Sequence, residues 1–356
     1  KFRLSYGKTG NQDGIGNYAW QPLMSGGINY GNNSGMAVTS MGNNTLTWET
    51  ADQYDFGFDL GFWNGKLNMI ADVYLKNTNN LLYSMPLHGT SGFTSITNNI
   101  GSMRNYGVEF SINGHMNLGK VNWTSSFNIS HNKNKLTKLL GDDLLPIGSN
   151  RALKVGEELG AFYLFQMDGI YQYDGEVPQP LYDLGVRAGD VKYHDVDNNG
   201  IINDSDRVLT GSSNPDFFGG WNNTFKYKGF QLDVFFTYMY GNDVYAEWAV
   251  TATRPGYRMA ITEDAAKNRW TAPGSSNKYP RAVNTLCGHN SKNSTRFLED
   301  GSFIRLRSLT FSYTFPQVML QKIRMKGLRL YVQGDNLLLF SKYSGWDPEV
   351  SKNMDP

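Results

Sequence analysis

The chain has 356 residues, with Lys plus Arg 33 against Asp plus Glu 32, so its formal net charge of +1 leaves no basic surplus for a polyanion such as a nucleic acid. Charged residues make up only 18%, aromatic residues reach 14% and Gly occupies 39 positions, the mixture of turn formers and aromatics expected of many strands joined by loops. The single cysteine, Cys287, excludes an internal disulfide and a Cys-rich metal site, and no apolar run approaches the roughly 18 residues of a membrane-crossing helix.

The sequence opens inside a strand-like run, Lys1-Phe2-Arg3-Leu4-Ser5-Tyr6, with no initiator Met or signal peptide, which reads as a fragment or a processed product. The clearest pattern follows between Tyr54 and Leu75. Tyr54, Phe56, Phe58, Leu60 and Phe62 alternate with Asp55, Gly57, Asp59 and Gly61, then comes Asn64-Gly65, then Leu67, Met69, Ala71, Val73 and Leu75 alternate again. Asn-Gly between two alternating runs is the strongest short hairpin signal. A two-residue turn there pairs 62 with 67, 60 with 69, 58 with 71, 56 with 73 and 54 with 75, all apolar and all on one face. A slip of one residue would set one strand's apolar set beside the other's polar set.

Two further hairpins pass the same test. A turn at Leu118-Gly119 pairs Met116 with Val121, Phe110 with Phe127 and Val108 with Ile129, leaving Glu109, Ser111, Asn113, Asn122, Thr124 and Asn128 on the other face. A turn at Lys228-Gly229 pairs Tyr227 with Phe230, Phe225 with Leu232, Trp221 with Phe236 and Phe217 with Tyr240. A looser fourth pair alternates Leu309, Phe311, Tyr313 and Phe315, makes a helical turn from Pro316 to Met325, and resumes at Leu328, Leu330 and Val332.

Alternation alone also suits a soluble sandwich or lipocalin-like barrel. Two features select a membrane. Aromatics crowd the strand ends (Tyr54, Phe62, Trp63, Tyr227, Phe230, Tyr238, Tyr240), where a lipid–water boundary places them. Turns of two residues alternate with long connections, at 11–44, 79–102, 134–213 and 243–301, as in outer-membrane barrels. About ten strands are expected by this count, and an open sheet of that size would expose unpaired edges to hydrocarbon. The fold class is therefore all-β: part of a large antiparallel transmembrane β-barrel whose remaining strands belong to residues outside 1–356. The Asp55, Asp59 and Asp72 set then lines a wet lumen.

The sharpest local motif is Asp195-Val196-Asp197-Asn198-Asn199-Gly200-Ile201-Ile202-Asn203-Asp204-Ser205-Asp206 within the third long, extracellular connection. It fits a twelve-residue Ca2+ loop: side-chain oxygens at Asp195, Asp197 and Asn199, a turn at Gly200, the Ile201 carbonyl, Asn203 through water, and Asp206 at position twelve. Asp206 replaces the usual Glu, and its shorter arm reaches the ion less fully. The alternative is an Asx-rich turn without an ion. Catalytic motifs are missing. The histidines (His88, His115, His131, His194, His289) lack metal spacing and read as solvated or loop residues, the adjacent pairs Asp142-Asp143 and Glu157-Glu158 read as polar loop, and no nucleophile elbow or phosphate loop occurs. The chain is read as not an enzyme. Tyr163, Tyr171, Tyr173, Tyr182, Trp248 and Trp270, all in long connections, are candidates to stack on a substrate's sugar rings, with structural packing the alternative.

Several segments, in order and spacing, resemble the SusC/RagA family of TonB-dependent outer-membrane transporters of Bacteroidetes. They are Leu4-Ser5-Tyr6-Gly7-Lys8-Thr9-Gly10-Asn11, Asn99-Ile100-Gly101-Ser102-Met103-Arg104-Asn105-Tyr106-Gly107-Val108-Glu109, Gly189-Asp190-Val191-Lys192-Tyr193, Asn214-Pro215-Asp216-Phe217-Phe218-Gly219-Gly220, Phe297-Leu298-Glu299-Asp300-Gly301-Ser302-Phe303-Ile304-Arg305-Leu306 and Tyr343-Ser344-Gly345-Trp346-Asp347-Pro348-Glu349. The resemblance implies a 22-stranded barrel in the bacterial outer membrane with an N-terminal plug absent here. It also implies a SusD-like lipoprotein over the mouth, coupling to TonB with ExbB-ExbD through the missing N-terminal part, and import of glycan oligosaccharides or peptides. A passive porin or adhesive barrel, and a soluble calcium-binding glycan-binding β-protein, are the competing readings.

Overall fold

Period-two patterning requires each strand to bury one face or show it to an apolar solvent, and the computed structural model resolves which. It describes residues 1–141, 144–256, 259–283, 288–321 and 324–349. Cys287 and the Asp142-Asp143 pair lie outside them. Nine long strands form one antiparallel sheet in chain order: β1 (Phe2–Asn11), β2 (Glu49–Phe62), β3 (Leu67–Pro86), β4 (Ser95–Leu118), β5 (Val121–Leu139), β6 (Phe217–Tyr227), β7 (Phe230–Tyr240), β8 (Phe303–Thr314) and β9 (Arg329–Ser341).

The β2–β3 register pairs Phe62 with Leu67 through Tyr54 with Leu75, and β6–β7 pairs Tyr227 with Phe230 through Phe217 with Tyr240, both as the patterning requires. The β4–β5 register differs. Leu118 faces Val121, Phe110 faces Ile129 and Ile112 faces Phe127, so the turn is Gly119-Lys120 and the strands are slid by two residues. Gly119 takes the left-handed conformation (φ +64°) that opens the turn. A slide of two preserves the side-chain parity, so the apolar face survives.

One cross-strand row crosses the whole sheet: Phe2, Phe58, Ala71, Phe110, Ile129, Gly219, Tyr238, Ile304 and Phe340. Gly219 is required there, because a Cβ would collide with the Asn128 carbonyl and the Tyr238 hydroxyl, which donates to Asn128 O at 2.9 Å. In β8 a bulge at Arg307 resets the parity: Leu306 faces Phe236 and Leu309 faces Val234. Ile304 and Leu306 before it and Leu309 and Phe311 after it therefore share one face.

The connections differ most from the sequence reading. β3 and β4 run well past the apolar alternation, to Pro86 and from Ser95, so most of 79–102 is strand. Pairing continues there through the backbone, and Ile100, with Leu81 and Tyr83, packs against Leu136 and Leu153 in a small core of its own, outside the alternation that marks the rest of these strands. The longer connections are folded, not irregular. Apart from Leu136 and Ser312, the largest fully buried side chains lie in them, among them Phe162, Leu164, Val191 and Phe297.

Candidate functional site

The two faces of the sheet are chemically opposite. One exposes Leu4 (84%), Phe56, Val73, Val108, Phe311 and Val332, among many others, as a continuous apolar surface. The other carries Arg3, Asp55, Asp59, Asp72, Tyr74 and Glu109. Arg3 Nη2 lies 3.0 Å from Asp59 Oδ1 and 2.9 Å from Asp72 Oδ1, over Gly57, whose missing side chain leaves the space for both partners. The expected carboxylate set is thus on the polar face, tied together by an arginine that the carboxylate pattern alone did not disclose.

In the connection between β5 and β6, strand Ala161–Phe165 pairs with Arg207–Ser212, and Met167–Ile170 pairs with Val191–Tyr193. Phe165, Tyr171, Val177, Leu181, Val186, Val191, Tyr193 and Ile202 pack into a core of their own. That core positions the Asp-rich loop: Val191–Tyr193 leads into Asp195, and Ile202 anchors its far side. Gly200 (φ +78°) turns over Pro180, whose Cγ would stand 3.5 Å from a Cβ there. Asp206 is fully buried and accepts from the amides of Val196 (2.9 Å) and Asn203 (2.8 Å), while Asn203 Oδ1 accepts from Ser205, closing a capping box. Asp195 accepts from Gly200 (2.7 Å) and Asn199 (3.2 Å). Desolvation pulls its carboxyl upward, but these amides and Asp197 together hold it below the usual range. One carboxylate oxygen from each of Asp195, Asp197 and Asp206 lies within 4.8 Å of the others. Asn199 Oδ1 accepts from Ile201 N at 2.7 Å, so its oxygen and the Ile201 amide are part of the same closed loop.

A second centre lies at the base of this unit. Asp190 is fully buried and accepts from Arg281 Nε and Nη2 (both 2.9 Å), Asn290 Nδ2 (2.8 Å) and the Arg187 amide (2.9 Å). Asn290 Oδ1 accepts from the Val191 amide, and His289 Nε2 lies 2.8 Å from Val191 O. His289 is thus a buried partner and not a solvated one, and burial lowers its pKa. Gly189 (φ +88°) brings the chain so close to Trp270 that a side chain would collide with the ring. Together these groups stitch the 161–212 and 277–293 segments into one body. The Gly189-Asp190-Val191-Lys192-Tyr193 segment marked half of this centre in sequence; its partners, about a hundred residues away, carried no local signal.

A family model described as TonB dependent receptor-like, beta-barrel, matches residues 1–337. The chain belongs to that family. It is 34% identical to TonB-dependent receptor P3 of Formosa agariphila over 100% of this chain and 36% of that protein, and 29% identical to TonB-dependent receptor SusC of Bacteroides thetaiotaomicron over 100% and 36%. It matches the structure of the RagAB peptide transporter at a TM-score of 0.85 and 27% identity, covering 98% of this chain and 38% of that one. The chain therefore spans little more than a third of the relatives it matches.

Within this TonB-dependent receptor barrel the expected stacking aromatics separate. Tyr171 is 2% exposed inside the loop core, where burial pushes its hydroxyl up to about 12, and it is unavailable to a substrate. Trp270 is half-buried, packed on Gly189 and donating from Nε1 to Gln172 Oε1 at 3.1 Å. Tyr182 carries the Arg187 guanidinium 3.6 Å over its ring, and Tyr163 donates to Asp204 O. Tyr173 and Trp248 are exposed, Trp248 while donating to the Tyr343 hydroxyl. Sequence distinguishes none of these environments, because each depends on contacts between separate connections.

Proposed function

We propose that this chain is barrel wall of an outer-membrane importer of oligomeric nutrients, working with a SusD-like surface lipoprotein and energised through TonB with ExbB-ExbD. The observation that carries the membrane reading is the apolar face. Monomeric soluble proteins rarely expose contiguous apolar patches beyond a few hundred Å2, whereas here the apolar faces of the long strands join in one surface that is half-buried to fully exposed. The opposite face is polar, as a wet lumen requires. The likeness to RagAB, a peptide transporter, favours peptides over glycan oligosaccharides as the cargo.

Two measurements test this. The chain is expected to stay monodisperse only in detergent; monodispersity in plain buffer would refute the membrane reading. In cells carrying the full-length protein, uptake of labelled oligopeptides is expected to stop when a protonophore collapses the inner-membrane gradient. Uptake that continues would replace the energised importer with a passive porin.

The Asp-rich loop is proposed to hold Ca2+, with Asp195, Asp197 and Asp206 supplying carboxylate oxygens and Asn199, Ile201 and Asn203 the remaining positions. Such an ion would brace the extracellular loop body. Isothermal titration of Ca2+ into the chain is expected to show one site that the Asp195→Ala/Asp197→Ala variant loses; equal heats from both would sink it.

A further inference from the structure

Three tight turns, between β2 and β3, β4 and β5, and β6 and β7, and the longer 315–328 connection between β8 and β9 lie at one end of the sheet, and their charge is one-sided. Every charged residue in segments 60–68, 116–123 and 225–232 and in the described part of 315–328 is a cation: Lys66, Lys120, Lys226, Lys228, Arg324 and Lys326. The chain as a whole is nearly neutral, at +1, so this rim concentrates positive charge that the rest balances. All six are exposed, and among the described residues none forms an ion pair. The rim is also apolar along its outer edge. Trp63 is 72% exposed, Val318 73% and Met319 58%, and Phe230 packs 4.5 Å from Tyr313, centroid to centroid, continuing the apolar face of the sheet.

We infer that this rim is a collar for the anionic headgroups of a phospholipid leaflet. The inference rests on the membrane reading above and adds to it a lipid class and a set of residues. In outer-membrane barrels the short turns face the periplasm, so the rim stands at the level of a phospholipid surface. Lys and Arg stems lie along apolar side chains while their heads reach polar groups. Attraction between a basic cluster and an anionic surface is additive over the cluster. An acidic protein would match the charge, but Trp63, Val318 and Met319 are interleaved with the cations and continuous with the lipid-facing surface, and that favours lipid.

The test is native mass spectrometry of the detergent-solubilised full-length protein in micelles doped equally with phosphatidylglycerol and phosphatidylcholine. Phosphatidylglycerol is expected to be retained over phosphatidylcholine by roughly tenfold. The Lys66→Gln/Lys120→Gln/Lys228→Gln/Lys326→Gln variant is expected to retain the two lipids equally. A control, Lys8→Gln/Lys154→Gln/Lys267→Gln/Lys278→Gln, removes the same charge from the opposite end and is expected to keep the preference. Circular dichroism establishes that both variants fold. Equal retention by the unaltered chain overturns the proposal, as a rim serving an acidic protein would produce. Equal loss in both variants overturns it too, since the effect is then net charge alone. The membrane reading fails separately, through monodispersity without detergent.

Discussion

Replacing Asp190 by Ala is expected to destabilise the loop body by about 3 kcal/mol, the lower end of the range for removing one partner of a buried ion pair. The carboxylate is fully buried and accepts four hydrogen bonds, two from Arg281, one from Asn290 and one from the Arg187 amide. Removing it takes two charge-assisted hydrogen bonds from the Arg281 guanidinium and leaves Asn290 Nδ2 and the Arg187 amide without this acceptor. The lower end applies because the Arg281 side chain is 30% exposed and recovers some hydration. The loss should be local. Val191, Gly189 and Arg281 donate their amides to Asn290 Oδ1, Tyr171 O and Gly189 O, so these amides are expected to exchange with deuterium about a hundredfold faster, the rate equivalent of that energy. Strand amides such as Phe58 and Ala71 are expected to be unchanged. Unaltered exchange at Val191 would show that Asp190 does not hold the two connections together.

The sheet was legible because its information is local. Tyr54 to Leu75 carries strand, turn and register within one stretch, and parity together with the Asn64-Gly65 turn leaves a single solution. The Gly119-Lys120 turn shows the limit: parity cannot separate slides of zero and two, and only the left-handed Gly119 decides. The bulge at Arg307 is invisible for the same reason, since alternation on either side of it looks regular. The loop body was not legible. Phe165, Val191 and Ile202 pack together from three short segments that show neither period, and Asp190 meets Arg281 across ninety-one positions. The Asp-rich loop lies between these cases: its ligand types and spacing are local, while the buried state of Asp206 comes from the core beneath it.

Introducing an arginine at the middle of the apolar face is the sharpest test of what that face contacts. Phe58 lies in the row that runs from Phe2 to Phe340, about four residues from the rim at Phe62. An apolar band about 25 Å tall, crossed by strands tilted about 40°, takes about ten residues of strand, which puts Phe58 near mid-depth and Tyr54 near the far boundary. In lipid, Phe58→Arg is expected to cost about 2–4 kcal/mol and Tyr54→Arg no more than about 1, because the cost of a charge falls toward the interfaces. Guanidinium unfolding of the full-length protein in bilayers would measure both. A soluble sheet with the same residues exposed predicts the reverse: a charge on a water-facing position changes stability by about 0.5 kcal/mol at either site. The gradient between Phe58 and Tyr54, more than either value alone, separates the two solvents, because only a bilayer has a middle. Equal, small effects at both positions would remove the membrane from the account, and with it the phospholipid collar at Lys66, Lys120 and Lys228.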